Sequence, residues 1–90
     1  MLVFYKSPNE TIDYVFNWRA NALPATDNIL SVASTVGVGL TLVEENFNTN
    51  EHQIFVSGGT LGEEYSVTSR ITTTEGRVIE ESIRVRIVNK

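Results

Sequence analysis

A glycine-rich turn that leads straight into an alternating strand constrains the fold of this chain more than any other feature. Residues 57–68 read SGGTLGEEYSVT, with three glycines before the strand and Tyr65 as its first inward-facing residue. In immunoglobulin-like sandwiches, a tyrosine at such a corner turns its hydroxyl back onto the nearby backbone. The segment therefore predicts a β-sandwich of this type, with the Tyr65 hydroxyl bonded to the backbone of the turn.

Alternation of apolar and polar residues predicts strands along the rest of the chain. The clearest case is residues 11–18, where one face carries Ile12, Tyr14, Phe16 and Trp18. Further strands are expected at residues 2–5, 29–36, 40–43, 53–57, 64–74 and 77–89, with a loop at 19–28 and an exposed loop or edge at 44–52. In the strand at 29–36 we expect Leu30, Val32, Ser34 and Val36 to face inward.

Six to eight short strands without a helical period predict an all-β fold. We expect one domain over residues 1–90, an immunoglobulin- or fibronectin-III-like sandwich of two antiparallel sheets with about seven strands. Trp18 lies at strand spacing, which favours a place in the core. The alternative is an exposed aromatic platform for a sugar or a protein.

The last two predicted strands form a hairpin whose register follows from its apolar faces. One strand presents Tyr65, Val67 and Ile71, and the other presents Ile79, Ile83, Val85 and Ile87. Both sets face one core only if paired residue numbers have an even sum, such as Val67 opposite Val85. A two-residue turn at Glu75-Gly76 gives an odd sum. We therefore predict a three-residue loop or a bulge, with Gly76 in the left-handed conformation.

The outward face of this hairpin gathers arginines in an acidic protein. The even register predicts Ser66 opposite Arg86, Thr68 opposite Arg84, Arg70 opposite Ser82 and Thr72 opposite Glu80. Arginine is enriched in the cores of protein interfaces and suits the recognition of carboxylates. Arg70, Arg84 and Arg86 are therefore candidate partner-binding residues. The alternative is a solvated polar face of an antiparallel sheet.

Composition argues against several classes of function. The net charge is −4, and seven Lys and Arg are spread over 90 residues, so we expect no binding to nucleic acid or to an anionic membrane. No stretch approaches the roughly 18 apolar residues of a membrane span. The absence of cysteine favours folding in a reducing compartment.

The residues needed for catalysis or metal binding are not arranged in a known pattern. His52 is the only histidine, and its polar surroundings predict a solvated loop residue rather than a catalytic base. The acidic and amide-rich run at 44–51 lacks the glycine and the spacing of an EF-hand loop. We therefore expect no enzymatic activity, no metal site and no cofactor.

Two blocks of the chain resemble a family of short phage proteins. Residues 6–18, KSPNETIDYVFNW, are similar to the family's Lys-Asp-Pro start, its Asp-Tyr pair and its closing Asp/Asn-Trp. Residues 57–77 are similar to its Ser-Gly-Gly-Thr-x-Gly-x-x-Tyr-x-Val-Thr core and to its Ile-Thr-Thr-x-x-Gly-Arg hairpin. The chain thus resembles the small immunoglobulin-like virion proteins of tailed bacteriophages, often described as fiber-tail adaptors.

The resemblance implies a non-enzymatic structural protein of the virion, synthesised in the host cytoplasm. It implies many copies in a symmetric assembly, in contact with portal, tail, neck or fiber proteins. One alternative is a capsid or collar decoration protein that binds the major capsid protein. A second, of another class, is a carbohydrate-binding module in host adsorption. Docking through an edge strand is expected either at residues 2–5 or at the final strand.

Overall fold

The computed structural model describes residues 2–90 and is nearly all β. Its elements are β1 (Val3–Lys6), β2 (Ile12–Asn17), α1 (Trp18–Asn21), β3 (Ile29–Val36), β4 (Leu40–Phe47), β5 (Glu51–Gly58), β6 (Glu64–Thr73) and β7 (Val78–Ile87). The strands form a four-stranded sheet in the order β1-β7-β6-β3 and a three-stranded sheet in the order β2-β5-β4. The predicted seven-stranded sandwich is confirmed.

One pair of strands departs from the predicted antiparallel arrangement. β1 runs parallel to β7, from Val3 opposite Arg84 to Lys6 opposite Ile87. The chain passes from β1 in one sheet to β2 in the other, so the two do not form a hairpin. β1 instead lies beside the last strand and runs in the same direction, which makes the prediction of purely antiparallel sheets wrong at this pair.

The core contains the aromatic residues that the alternation of β2 predicts. Tyr14, Phe16 and Trp18 are buried. Trp18 opens α1 rather than ending a strand, because the side chain of Asn17 caps this single helical turn by accepting from the Ala20 N–H at 3.1 Å. The predicted loop at 19–28 therefore begins with the end of a helix.

The inward face of β3 is predicted correctly except at its start. Val32, Ser34 and Val36 are partly covered, but Leu30 is exposed and Ile29 is buried. The ladder with β6 is irregular between Ile29 and Ser31, and this bulge exchanges the two faces.

The segment at 44–52 is exposed for most of its length, as expected, but it is not a loop. β4 continues to Phe47, and β5 begins at Glu51. The side chain of Asn48 accepts from the N–H groups of Asn50 and Glu51 at 2.8 and 2.9 Å, so the asparagine run builds a tight turn between two strands.

The corner that opens β6 has the predicted hydrogen bond. The Thr60 N–H donates to the Tyr65 hydroxyl at 2.9 Å, and Gly58, Gly59 and Gly62 all have positive φ. The tyrosine thereby fastens the glycine-rich turn to the start of the strand, as the sequence predicts.

The hairpin of β6 and β7 has an even register, but the particular pairs are shifted by two residues. Val67 lies opposite Ile83, not Val85. The Thr73 N–H donates to the Arg77 carbonyl at 2.8 Å, which leaves a three-residue loop that ends at Gly76 with φ +86°. Such loops place the left-handed residue last. Gly76 therefore sets the register at this shifted value.

A buried aspartate holds the hairpin loop against the rest of the sandwich. Asp27 accepts from Arg77 Nη1 at 2.7 Å and from Thr74 Oγ1 and the Glu75 N–H at 3.1 Å each. Burial by itself raises the pKa of this carboxyl, but the bond from Arg77 and those from the loop outweigh it and hold the pKa well below its usual range. The ionised carboxylate thus joins the segment before β3 to the loop after β6.

We expect Asp27→Asn to lower the melting temperature at neutral pH, because it removes the charge that Arg77 and the loop donors stabilise. The folded pKa lies below the ordinary 3.8, so this contribution is present above pH 3.8 and is lost as the pH falls further. Thermal melts from pH 7 to pH 2 should therefore converge for the two proteins. Glu75→Gln is the control, since this half-exposed carboxylate lies 3.3 Å from the same Arg77. An equal loss in the control would contradict the role of Asp27.

Candidate partner-binding surface

The three candidate arginines lie on the outer face of the four-stranded sheet. Arg70 on β6 and Arg84 and Arg86 on β7 are exposed, while Val67, Ile71, Ile83 and Val85 on the other face are buried. Their predicted placement on one outward face is correct. We call the outward side of β6 and β7 that carries Arg70, Arg84 and Arg86 the arginine face.

The cross-strand partners of these arginines differ from the predicted ones. Because the register is shifted by two residues, Arg70 lies opposite Glu80 and Arg86 lies opposite Glu64. Arg84 Nη1 is 3.2 Å from Glu64 Oε1, in a pair whose side chains are 46% and 39% exposed. Ion pairs this exposed contribute about 0–1 kcal/mol, so a partner's carboxylates can replace them at little cost.

His52 is buried, which makes the prediction of a solvated loop histidine wrong. Its Nδ1 is 2.7 Å from Ser69 Oγ, and its Nε2 is 3.0 Å from Glu45 Oε1. Trp18 Nε1 donates to the same Ser69 oxygen at 3.0 Å. A carboxylate only accepts, so Nε2 carries the ring proton, and Nδ1 accepts from the Ser69 hydroxyl. The chain of bonds runs from α1 through β6 and β5 to β4.

This line of serine, histidine and glutamate contains the residue types of a catalytic triad, but its serine is not accessible to a substrate. Ser69 is fully buried, and its oxygen already accepts from the Trp18 indole. A nucleophile must reach its substrate, so the arrangement is built for holding the sheets together. Burial lowers the pKa of His52, against the opposing effect of Glu45, and thus favours the neutral ring.

A buried lysine joins the two sheets at the opposite end. Lys6 Nζ donates to the Gly58 carbonyl at 2.6 Å and to the Ser7 carbonyl at 2.9 Å. Burial lowers the pKa of its ammonium group, while the charge of Glu10 acts in the opposite direction. Its position beside Ser7-Pro8 in the sequence gives no sign of burial.

The part of the chain that the structure describes contains neither a cluster of metal-binding side chains nor a helix that could span a membrane. No group of three or more His, Cys, Asp or Glu in residues 2–90 is placed to hold a metal ion. No helix among these residues has the length and apolar character needed to cross a membrane.

Comparison with known protein families identifies a match over most of the chain. The family described as "Podophage GP4 fiber-tail adaptor protein gp77" matches residues 6–86, which begin at Lys6 and end at Arg86. A search of curated proteins gives no match. The matched range includes the glycine-rich corner, the His52 network and the arginine face. Since it covers nearly all of the 90 residues, the chain belongs to the podophage fiber-tail adaptor family.

Proposed function

We propose that the protein joins the tail or neck of a phage particle to its fibers and binds a neighbouring virion protein through the arginine face. Membership of the fiber-tail adaptor family over residues 6–86 is the observation that carries this proposal. A structural adaptor of a phage must contact other virion proteins, and the arginine face offers a preformed surface for doing so.

The arginine face is suited to an acidic partner. Three guanidinium groups project from two adjacent, rigid strands, and the acids that face them lie on the same exposed surface. An incoming carboxylate can form a bidentate pair with an arginine in place of a weak surface pair. The rigid sheet keeps the entropy lost on binding low.

The proposal extends to the setting in which the protein acts. It is made in the host cytoplasm, works without catalysis and occupies the virion in several copies that follow the symmetry of the tail or neck. A capsid or collar position remains the alternative within the same class. The carbohydrate-binding alternative needs Trp18 or another aromatic exposed beside polar groups. Trp18 is 3% exposed and its indole donates to Ser69, so Trp18 offers no platform, whereas Tyr5 and Phe47 are exposed and leave this alternative open.

Replacing Arg70, Arg84 and Arg86 together with glutamine should leave the fold intact and weaken attachment to the particle. We expect only a modest fall in melting temperature, since an exposed ion pair such as that of Arg84 with Glu64 contributes about 0–1 kcal/mol and each kcal/mol corresponds to roughly 4–8 °C. Occupancy in purified particles, measured by quantitative mass spectrometry, should fall about ten-fold or more. Lys90→Gln, at another exposed cation paired with a carboxylate, is the control. Normal occupancy of the triple variant would contradict the role of the arginine face.

An asymmetric reconstruction of the particle by electron cryomicroscopy tests the proposed position. Density for the sandwich between tail or portal proteins and fibers supports the adaptor function. Density on the capsid lattice would support the decoration alternative, and absence from the particle would remove both.

A further inference from the structure

The outer edge of β7 is covered by β1 over only half its length. Pairing with β1 begins at Arg84, and no strand within residues 2–90 lies beside the earlier part of β7. The Arg84 N–H donates to the Leu2 carbonyl at 2.8 Å, so the backbone groups of even-numbered residues in β7 point toward β1. By the alternation of a strand, those of Val78, Glu80 and Ser82 point to the same side, where they meet no strand of the described chain.

A groove lies beside this uncovered edge. It has a volume of about 260 Å³ and runs between the two sheets, where Tyr14, Phe16 and Ile83 form its floor. This volume is below the roughly 300 Å³ at which pockets for small ligands begin, so the groove suits one or two side chains better than a small ligand. Among residues 2–90, the Tyr14 hydroxyl is the one buried side-chain polar atom without a hydrogen-bond partner.

Two of the residues that line the groove are acidic, and no basic residue of the described chain lines it. Asp13 and Glu81 both line it. Glu81 lies opposite the buried Ser69, on the core-facing side of β7, yet it is exposed. An exposed acid at a core-facing position shows that the sandwich is open here and that the opening favours a cation.

We propose that an extended segment of another virion protein adds to this edge as a strand, in line with β1, and places an apolar side chain in the groove and a basic one between Asp13 and Glu81. The proposal rests on the adaptor function and names the chemistry of one of its partners. The backbone of the partner segment pairs with Val78, Glu80 and Ser82, and this pairing continues the four-stranded sheet past the start of β1. The groove opens on the core-facing side of β7, whereas the arginine face lies on its outward side, so the protein has one surface for an acidic partner and one for a basic partner.

A second copy of this chain fits the edge less well than a basic segment does. In a two-fold, edge-to-edge pairing, each copy has a net charge of −4 and would bring its own Asp13 and Glu81 toward those of the other copy. Like charges brought this close oppose pairing. A partner segment that carries lysine or arginine meets no such repulsion.

A proline at Glu80 tests the strand addition directly. The backbone N–H of Glu80 has no strand partner in the described chain, so the Glu80→Pro protein should fold with a melting temperature near that of the unaltered protein. The same change removes the donor that an added strand needs, so occupancy in purified particles should fall about ten-fold or more. Glu80→Gln is the matched control, because it removes the charge but keeps the N–H, and it should be retained normally. Glu81→Lys should also be lost from particles, while Glu63→Lys, at an exposed acid in the corner loop, should not.

A photo-crosslinking amino acid at position 81 identifies the occupant in assembled particles. Adducts with an apolar, lysine- or arginine-containing segment of another virion protein support the proposal. Adducts with a second copy of this chain, no adduct at all, or normal retention of a folded Glu80→Pro protein would overturn it.

Particles that lack this protein distinguish failure of the adaptor function from failure of the strand addition. If they keep their fibers, the adaptor function fails, whereas if they lose fibers that Glu80→Pro particles retain, only the strand addition fails.

Discussion

Replacing Gly39 with alanine should destabilise the protein by about 3 kcal/mol or more, which corresponds to a fall of roughly 15 °C in melting temperature. Gly39 has φ +112°, a conformation that side chains rarely adopt. A Cβ at this position would lie 2.7 Å from Cε1 and 2.9 Å from the hydroxyl of Tyr65. The ring cannot move away without breaking its hydrogen bond to the Thr60 N–H. The substitution therefore strains the backbone and opens the corner together.

Gly62→Ala separates these two costs. Gly62 also has a positive φ, +87°, but a Cβ there meets nothing within 4 Å. Gly62→Ala should lower the free energy of unfolding only by the cost of the strained backbone, about 1–2 kcal/mol. A double-mutant cycle with Tyr65→Phe then tests the corner, because the loss of the hydroxyl should matter less once Gly39→Ala has displaced the ring. Equal losses at Gly39 and Gly62 in urea or thermal unfolding would show that contact with Tyr65 is not what the glycine avoids.

The features that sequence predicted correctly depend on local periodicity. The inward faces of β2, β6 and β7 follow from a period of two, and the even register follows from those faces. The shift of two residues in the actual pairs comes from the loop, where Gly76 has to be the last of three residues. Leu30 is exposed instead of facing inward because a bulge interrupts that period, and nothing in the local sequence pattern marks the bulge.

The buried polar residues could not be predicted, because their partners are distant in sequence. Lys6 bonds to a carbonyl 52 residues away, Asp27 to an arginine 50 residues away, and His52 to a serine 17 residues away. A polar side chain is stable in the core only when such partners are in place. Taken alone, each of these residues has the sequence context of an exposed loop or strand end.

The two candidate surfaces differ in the same way, because one follows from local periodicity and the other from a contact between distant parts of the chain. Alternation alone placed Arg70, Arg84 and Arg86 on one face, but the acids opposite them depended on the register. The groove beside β7 depends on where β1 pairs, and a parallel strand from the start of the chain has no local signal. The arginine face was therefore predictable, and the uncovered edge was not.

Replacing His52 with leucine should destabilise the protein by about 2–3 kcal/mol at neutral pH, although the new side chain is apolar and similar in size. The Ser69 hydroxyl loses its acceptor inside the core, where water cannot replace it. Glu45 loses a donor as well, but it is 33% exposed and can be solvated. Most of the cost therefore falls on the unpaired Ser69 hydroxyl, and urea unfolding followed by the fluorescence of Trp18, which donates to the same Ser69 oxygen, measures the loss of stability.

The same histidine should make the unaltered protein sensitive to mild acid. Because the folded pKa of His52 lies below its ordinary 6.5, the unfolded chain takes up a proton before the folded one does, and stability falls as the pH drops below about 6.5. A protonated ring donates from both nitrogens, so the Ser69 hydroxyl would lose its acceptor while its oxygen faced two donors, the ring and Trp18.

His52 is the only histidine, so His52→Leu should flatten the curve of unfolding free energy between pH 7 and pH 5. Glu45→Gln should steepen it, because Glu45 raises the pKa of His52 and its removal widens the gap between the folded and unfolded states. An unchanged slope in His52→Leu would place the acid sensitivity elsewhere and would contradict the neutral, hydrogen-bonded ring.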